Sequence, residues 1–150
     1  MMIKFNYSNS KSTNKFMVLI ITLVLLTACS SEPIKVRACE LCFEKYKNEL
    51  VVTEGFVKLP ESFYTAGGSV TLLLVDDSRK RLPTITLKNW GEKKNMMEKL
   101  KDGYTEEDVM IYDNDGNIIK LGDKVRVTGE LHGASKPWCE INVDKIEKIE

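Results

Sequence analysis

Apolar and polar positions change their period several times along the chain, and each change marks a different expected element. Residues 17–28 run apolar without a charge. Over residues 36–50, Ala38, Cys39, Leu41, Cys42, Tyr46 and Leu50 recur at spacings of three and four among Glu40, Glu44, Lys45 and Lys47. That spacing predicts a helix over 36–50. Residues 51–57 then turn β-branched and aromatic, with Gly55 where a strand bulges or coils. Residues 70–75, closed by Asp76, Asp77 and Ser78, and residues 82–87 predict two further strands. Pro83 cannot donate a ladder hydrogen bond, so it belongs at an edge or at the first residue. Asn89 and Glu92 stand at capping-box spacing ahead of Met96, Met97 and Leu100, and Gly103 stops the pattern, which predicts a helix over 91–102. Residues 113–117 read as a tight turn between short extended pieces, and residues 124–131 and 140–149 alternate cleanly as a fourth and a fifth strand.

Three strands, a helix and two strands is the order of a five-stranded barrel in which the helix plugs one open end. The string Gly116, Ile119, Gly122-Asp123, Val125, Val127, Gly129 resembles the run into the fourth strand of OB-fold domains. Gly122-Asp123 supplies the turn, Val125 and Val127 point inward, and Gly129 permits strong strand coiling. The expected fold is therefore mainly β with helices: an OB-like barrel over residues 51–150, with its helix between strands three and four, preceded by the amino-terminal helix at 36–50. An open β-sandwich is the competing architecture. The resemblance is one of topology and brings no catalytic motif.

The first 28 residues belong to a different class. Residues 1–16 carry Lys4, Lys11 and Lys15 and no acid, and the apolar run follows, which is the order of an export signal. Twelve apolar residues rise about 18 Å as a helix against a hydrocarbon core of roughly 30 Å, so the segment is expected to be removed instead of kept as an anchor. Leu26-Thr27-Ala28-Cys29 resembles the lipobox of bacterial lipoproteins. The resemblance implies diacylglycerol on the Cys29 sulfur, cleavage before it and acylation of the new amino terminus. The implied partner is membrane lipid, and Ser30 in a Gram-negative cell implies the outer membrane, facing the periplasm. Residues 29–35 would then be a short lipidated tether.

Removing that leader changes the charge balance. The full chain holds 22 basic and 22 acidic residues, but the leader takes three lysines and no acid, leaving 122 residues with 19 basic against 22 acidic, about −3. A domain of this size buries roughly two thirds of its unfolded surface, so a staple would supplement the core without being needed for it. The lysines are interleaved with glutamates, as in Glu98-Lys99-Leu100-Lys101-Asp102, which is a solvated face. Both features argue against a nucleic-acid groove, which needs clustered positive charge and stacking aromatics.

With Cys29 given to lipid, Cys39, Cys42 and Cys139 remain in an oxidising exterior, where one intramolecular disulfide leaves one thiol over. Three readings stand side by side. Cys39 or Cys42 bonded to Cys139 would tie the amino-terminal segment to the barrel. Cys39 and Cys42, as a CxxC, could instead be a redox pair, although no strand precedes them as in thioredoxin-like settings. Cys39, Cys42, His132 and Cys139 could also form a Cys3His site for zinc or copper(I), His132 and Cys139 flanking the loop between strands four and five. Phe43 stands where covalent haem attachment needs histidine. Residues 113–117 place their glycine fourth, not sixth as a calcium loop requires. Met96 and Met97 fit a core face better than a metal site.

Among aromatic residues, Trp90 and Trp138 suit the core or the barrel mouth, with a ligand platform as the other role. Phe63 and Tyr64, in the loop before Gly67-Gly68, are further ligand-face candidates. No nucleophile–base set or phosphate loop is legible. The expected function is that of a lipid-anchored envelope protein acting as a non-catalytic binding or structural module without cofactor, its partner an envelope protein or a small ligand. The alternative is a thiol-redox or zinc- or copper-binding protein.

Overall fold

The computed structural model describes residues 32–61, 65–76, 83–135 and 138–150, which fall in one compact unit, Glu32–Glu150. The expected leader at 1–28, Cys29, Phe63 and Tyr64 lie outside the described residues. Five long strands form the frame: β1 Leu50–Lys58, β2 Ser69–Val75, β3 Thr84–Lys88, β4 Lys124–Ser135 and β5 Trp138–Lys148. Each of the five expected strands is present within a few residues of its expected place. Inward positions alternate as the pattern requires, with Val51 and Val57, Leu72 and Leu74, Ile85 and Leu87, Val125 and Val127, and Ile141 and Ile146 buried.

The strands close into a barrel. Antiparallel pairs join β1 to β2, β2 to β3, β5 to β4 and β4 to β1, and a parallel pair joins β3 to β5 through Ile85 opposite Ile141. That circuit, with its single parallel contact, is the OB-like order anticipated from the sequence. Closing so few strands demands strong coiling, and two glycines permit it. A Cβ at Gly55 would stand 2.8 Å from the Val75 carbonyl oxygen, where β1 crosses from β4 to β2, and one at Gly129 would fall on the Asn142 carbonyl of β5. The ladder between β4 and β5 also shifts register between Val143 and Lys145, so that Ile146 returns to the interior. Gly129→Ala should therefore cost about 2–3 kcal/mol or more, as overpacking against backbone does, and a lowered urea midpoint at unchanged slope would register it.

Neither expected helix forms. Residues 36–50 hold two short 3-10 turns, Ala38–Glu40 and Glu44–Tyr46, separated by an extended Phe43. The spacing of three and four arises because the segment lies across one end of the barrel and buries Val36, Ala38 and Leu41 there. Its path is fixed by sheet-like contacts a helix could not make. Ile34–Lys35 pairs in parallel with Val51 and Val52, and the Asn48 amide, at φ 62°, donates to the Leu131 carbonyl at 2.8 Å.

Residues 91–102 likewise contain bends and a two-residue strand, Met96–Met97, beside Lys88 and antiparallel to Ile111–Tyr112. The helical expectation rested on three apolar positions. Both adjacent methionines are buried, which an extended pair between barrel and lid allows and one helical face does not. Asn95, at φ 48°, locks this lid: its Oδ1 accepts the Ile146 amide at 2.9 Å and its Nδ2 donates to Asn114 Oδ1 at 3.1 Å. Ile111–Tyr112 and Ile118–Ile119 pair around the expected tight turn, and Ile111 and Ile119 complete this second plug.

Asp113 organises that turn. Burial opposes its charge, but its carboxylate accepts from the amides of Asp115 and Asn117, both at 2.8 Å, and from the Asn117 side chain, and these bonds win, holding its pKa below the ordinary value. Burial likewise opposes Asp123, whose pKa is lowered by the Lys148 ammonium and the Lys120 amide. A carboxyl lowered in the fold stabilises it fully above the unfolded pKa, near 4, and that contribution disappears as pH falls through the folded value. Stability should therefore decline below about pH 4, and Asp113→Asn should cost about 1–2 kcal/mol at neutral pH while flattening that decline, as denaturation across a pH series would record.

Candidate functional site

The barrel brings two of the sequence-predicted cysteines together. Leu41 is buried beneath the amino-terminal lid, which swings Cys42 against the inward-facing Cys139 at the start of β5, and the two form a disulfide with Cα atoms 5.5 Å apart. Cys39 is a free, exposed thiol. With Cys42 and Cys139 held in this disulfide, neither sulfur is at the same time a thiolate ligand, and Cys42 is not bonded to Cys39 as a CxxC pair. Because β4 continues to Ser135, His132 lies on a strand and not in the loop, opposite Glu140 and so on the outer face, whereas Cys139 faces inward. Its Nε2 is 3.7 Å from Glu130 Oε2. Among the described residues no cluster of three metal-ligating side chains exists.

The aromatic candidates separate as well. Trp90 is 64% exposed and rests against Gly68 with the Lys88 ammonium 5.8 Å from its ring, so it belongs to the surface and not to the core. Trp138 opens β5 opposite Ser135; its side chain, like Phe63 and Tyr64, lies outside what is described.

A site the sequence did not reveal lies on the outer wall along β1 and β4. The strand β1 is paired on both edges at Val51–Val52, by Ile34–Lys35 and by β4, and again at Phe56, by β2 and β4. Across residues 53–55 only β4 is a partner, and the breach opens a cleft between the amino-terminal segment and Asp76. Val52 and Phe56 give it apolar surface, and Lys35, Arg37, Lys124 and Arg126 surround it. Glu54 in the cleft engages Arg126, whose Nε and Nη2 donate to Oε1 at 3.0 and 2.8 Å. The Arg126 hydrogen bond holds the Glu54 pKa down against partial burial, with Lys35 and Lys124 close enough to lower it further.

Lys35, Arg37 and Lys124 have no ion-pair partner among the described residues. The cleft therefore carries a local positive excess on a chain expected to be slightly negative. Thr53 behind it is only 2% exposed and lies on the inward face of β1 with Val51 and Val57, where its hydroxyl finds no hydrogen-bond partner among the described residues. No sequence signal marked this site, because its cations come from two distant stretches, 35–37 and 124–126, joined only by β1.

No family model matches the chain, and no curated protein does. Solved structures do resemble it. "OBody AM1L10 bound to hen egg-white lysozyme" is 16% identical, covering 81% of this chain and 99% of that one at a TM-score of 0.46. "OBody AM3L15 bound to hen egg-white lysozyme" is 15% identical over 79% and 97%, at 0.47. A Leishmania major Friedlin chain assigned as an aspartyl-tRNA synthetase is 12% identical at 0.46, covering 90% of this chain; this chain spans only 26% of its length. At these values the assignment of the barrel rests on its own strand pairing.

Proposed function

We propose that the chain is a lipid-anchored, extracytoplasmic protein whose OB-like barrel is a non-catalytic binding module, taking an anionic ligand in the cleft beside β1. The observation that carries the binding reading is the set of three cations without an ion-pair partner among the described residues, Lys35, Arg37 and Lys124, around apolar surface. An anion entering there meets Lys35, Arg37 and Lys124, which form no ion pair among the described residues, and partial desolvation by Val52 and Phe56 strengthens the attraction. The lipid anchor is supported by the leader and the lipobox at Cys29, and a disulfide beneath the lid suits an oxidising compartment.

Amide NMR with anilinonaphthalene sulfonate, an anion with an apolar body, tests the cleft directly. Shifts should concentrate at residues 35–39, 52–56 and 124–126. Lys35→Glu with Lys124→Glu should weaken binding by about tenfold or more. Shifts centred elsewhere, or affinity indifferent to the double reversal, would reject this cleft as the site.

A further inference from the structure

We propose that the anion this cleft meets is the phosphate-bearing surface of the membrane itself, so that the face along β1 and β4 docks on anionic phospholipid headgroups and sets the barrel's orientation. The inference rests on lipid attachment at Cys29 and deepens the anion-binding reading.

Its first support is length. Cys29 and Ile34 are five residues apart, and Ile34 is already paired with Val51 of β1. Five extended residues span at most about 18 Å, whereas a domain of this size is roughly 35 Å across. The tether is shorter than the body it holds, and only surface near Ile34 can rest on the headgroups. Lys35 is the next residue, Arg37 follows, and Lys124 stands opposite Phe56, four positions along β1 from the partner of Lys35 and so about 13 Å away. All three lie within reach.

The second support is the distribution of charge. Residues 91–118, hung on β3 and β5 instead of β1 and β4, hold eight acidic against four basic side chains. An anionic surface repels that lobe and attracts the cleft, so the electrostatics and the tether choose the same face. Ile34, 41% exposed between anchor and cleft, adds an apolar contact at the point of closest approach. Each unpaired basic side chain near an anionic surface favours contact roughly fivefold, on the order of a hundredfold for three.

The test uses the lipoprotein purified from membranes and reconstituted into vesicles of phosphatidylcholine alone or with one third phosphatidylglycerol. Intact mass is read first, then the rate at which a water-soluble amine reagent acetylates each lysine. Lys35 and Lys124 should react about tenfold more slowly on the anionic vesicles, with Lys99 and Lys101 unchanged as internal references. Half-molar salt or Arg37→Glu should restore their reactivity. Acylated protein whose Lys35 and Lys124 react equally on both vesicles would overturn the docking alone. Equal protection by soluble glycerol phosphate on neutral vesicles would overturn it in favour of a free phosphate ester. A mass without acyl chains would overturn the anchor and the docking together.

Discussion

Cys42→Ser and Cys139→Ser should each lower the unfolding free energy by about 4 kcal/mol and the melting temperature by roughly 15 °C, whereas Cys39→Ser should leave both nearly unchanged. The bridge spans 97 residues, and closing a loop of that length removes about 4–5 kcal/mol of chain entropy from the unfolded state. The native state loses something too. Val36, Ala38 and Leu41 are held over the barrel end by a path without a regular helix, so their burial depends on the fixed position of Cys42. Thermal melts with and without reductant check this: reduced wild-type protein should coincide with the Cys42→Ser and Cys139→Ser variants. If Cys39→Ser were the damaging change and Cys42→Ser harmless, the staple would run from the other cysteine of the CxxC.

Cys29→Ser should abolish lipid labelling entirely, because the serine oxygen cannot replace the sulfur that accepts diacylglycerol in the lipobox reading. The precursor should then keep its leader and run at higher mass, since cleavage before residue 29 follows lipid transfer in lipoproteins. Metabolic incorporation of labelled palmitate, read beside gel mobility, reports both effects. Two or three acyl chains make a stable anchor at about 0.8 kcal/mol per buried methylene, so fractionation should show an all-or-none change. Labelling that survives the substitution would place the lipid elsewhere or remove the lipobox from consideration.

The barrel was legible because strand alternation is a local signal: Val125 and Val127, or Leu72 and Leu74, announce an inward face without knowledge of what they meet. Gly122, Gly129 and the turn at 113–117 were legible for the same reason, since each is a backbone requirement expressed at its own position. The helices failed because apolar spacing records only which residues are buried. Over 36–50 burial comes from an irregular lid drawn across a barrel mouth, and over 91–102 from a short extended pair locked by Asn95, whose left-handed backbone no propensity anticipates. The sequence left the pairing of Cys39, Cys42 and Cys139 open, and only the lid's path brought Cys42 to Cys139. The cleft was invisible, because Lys35, Glu54 and Lys124 become neighbours through register alone.

We propose that one chain carries both an acyl anchor at Cys29 and a disulfide-stapled barrel. The most direct measurement is the intact mass of the protein extracted from membranes, before and after alkylation under native, denaturing and reducing conditions. The expected species begins at Cys29, is heavier than the polypeptide by its acyl groups, lacks two hydrogens, and takes one alkyl group until reduction exposes two more. An unacylated chain, or three thiols reactive on denaturation without reductant, would contradict it.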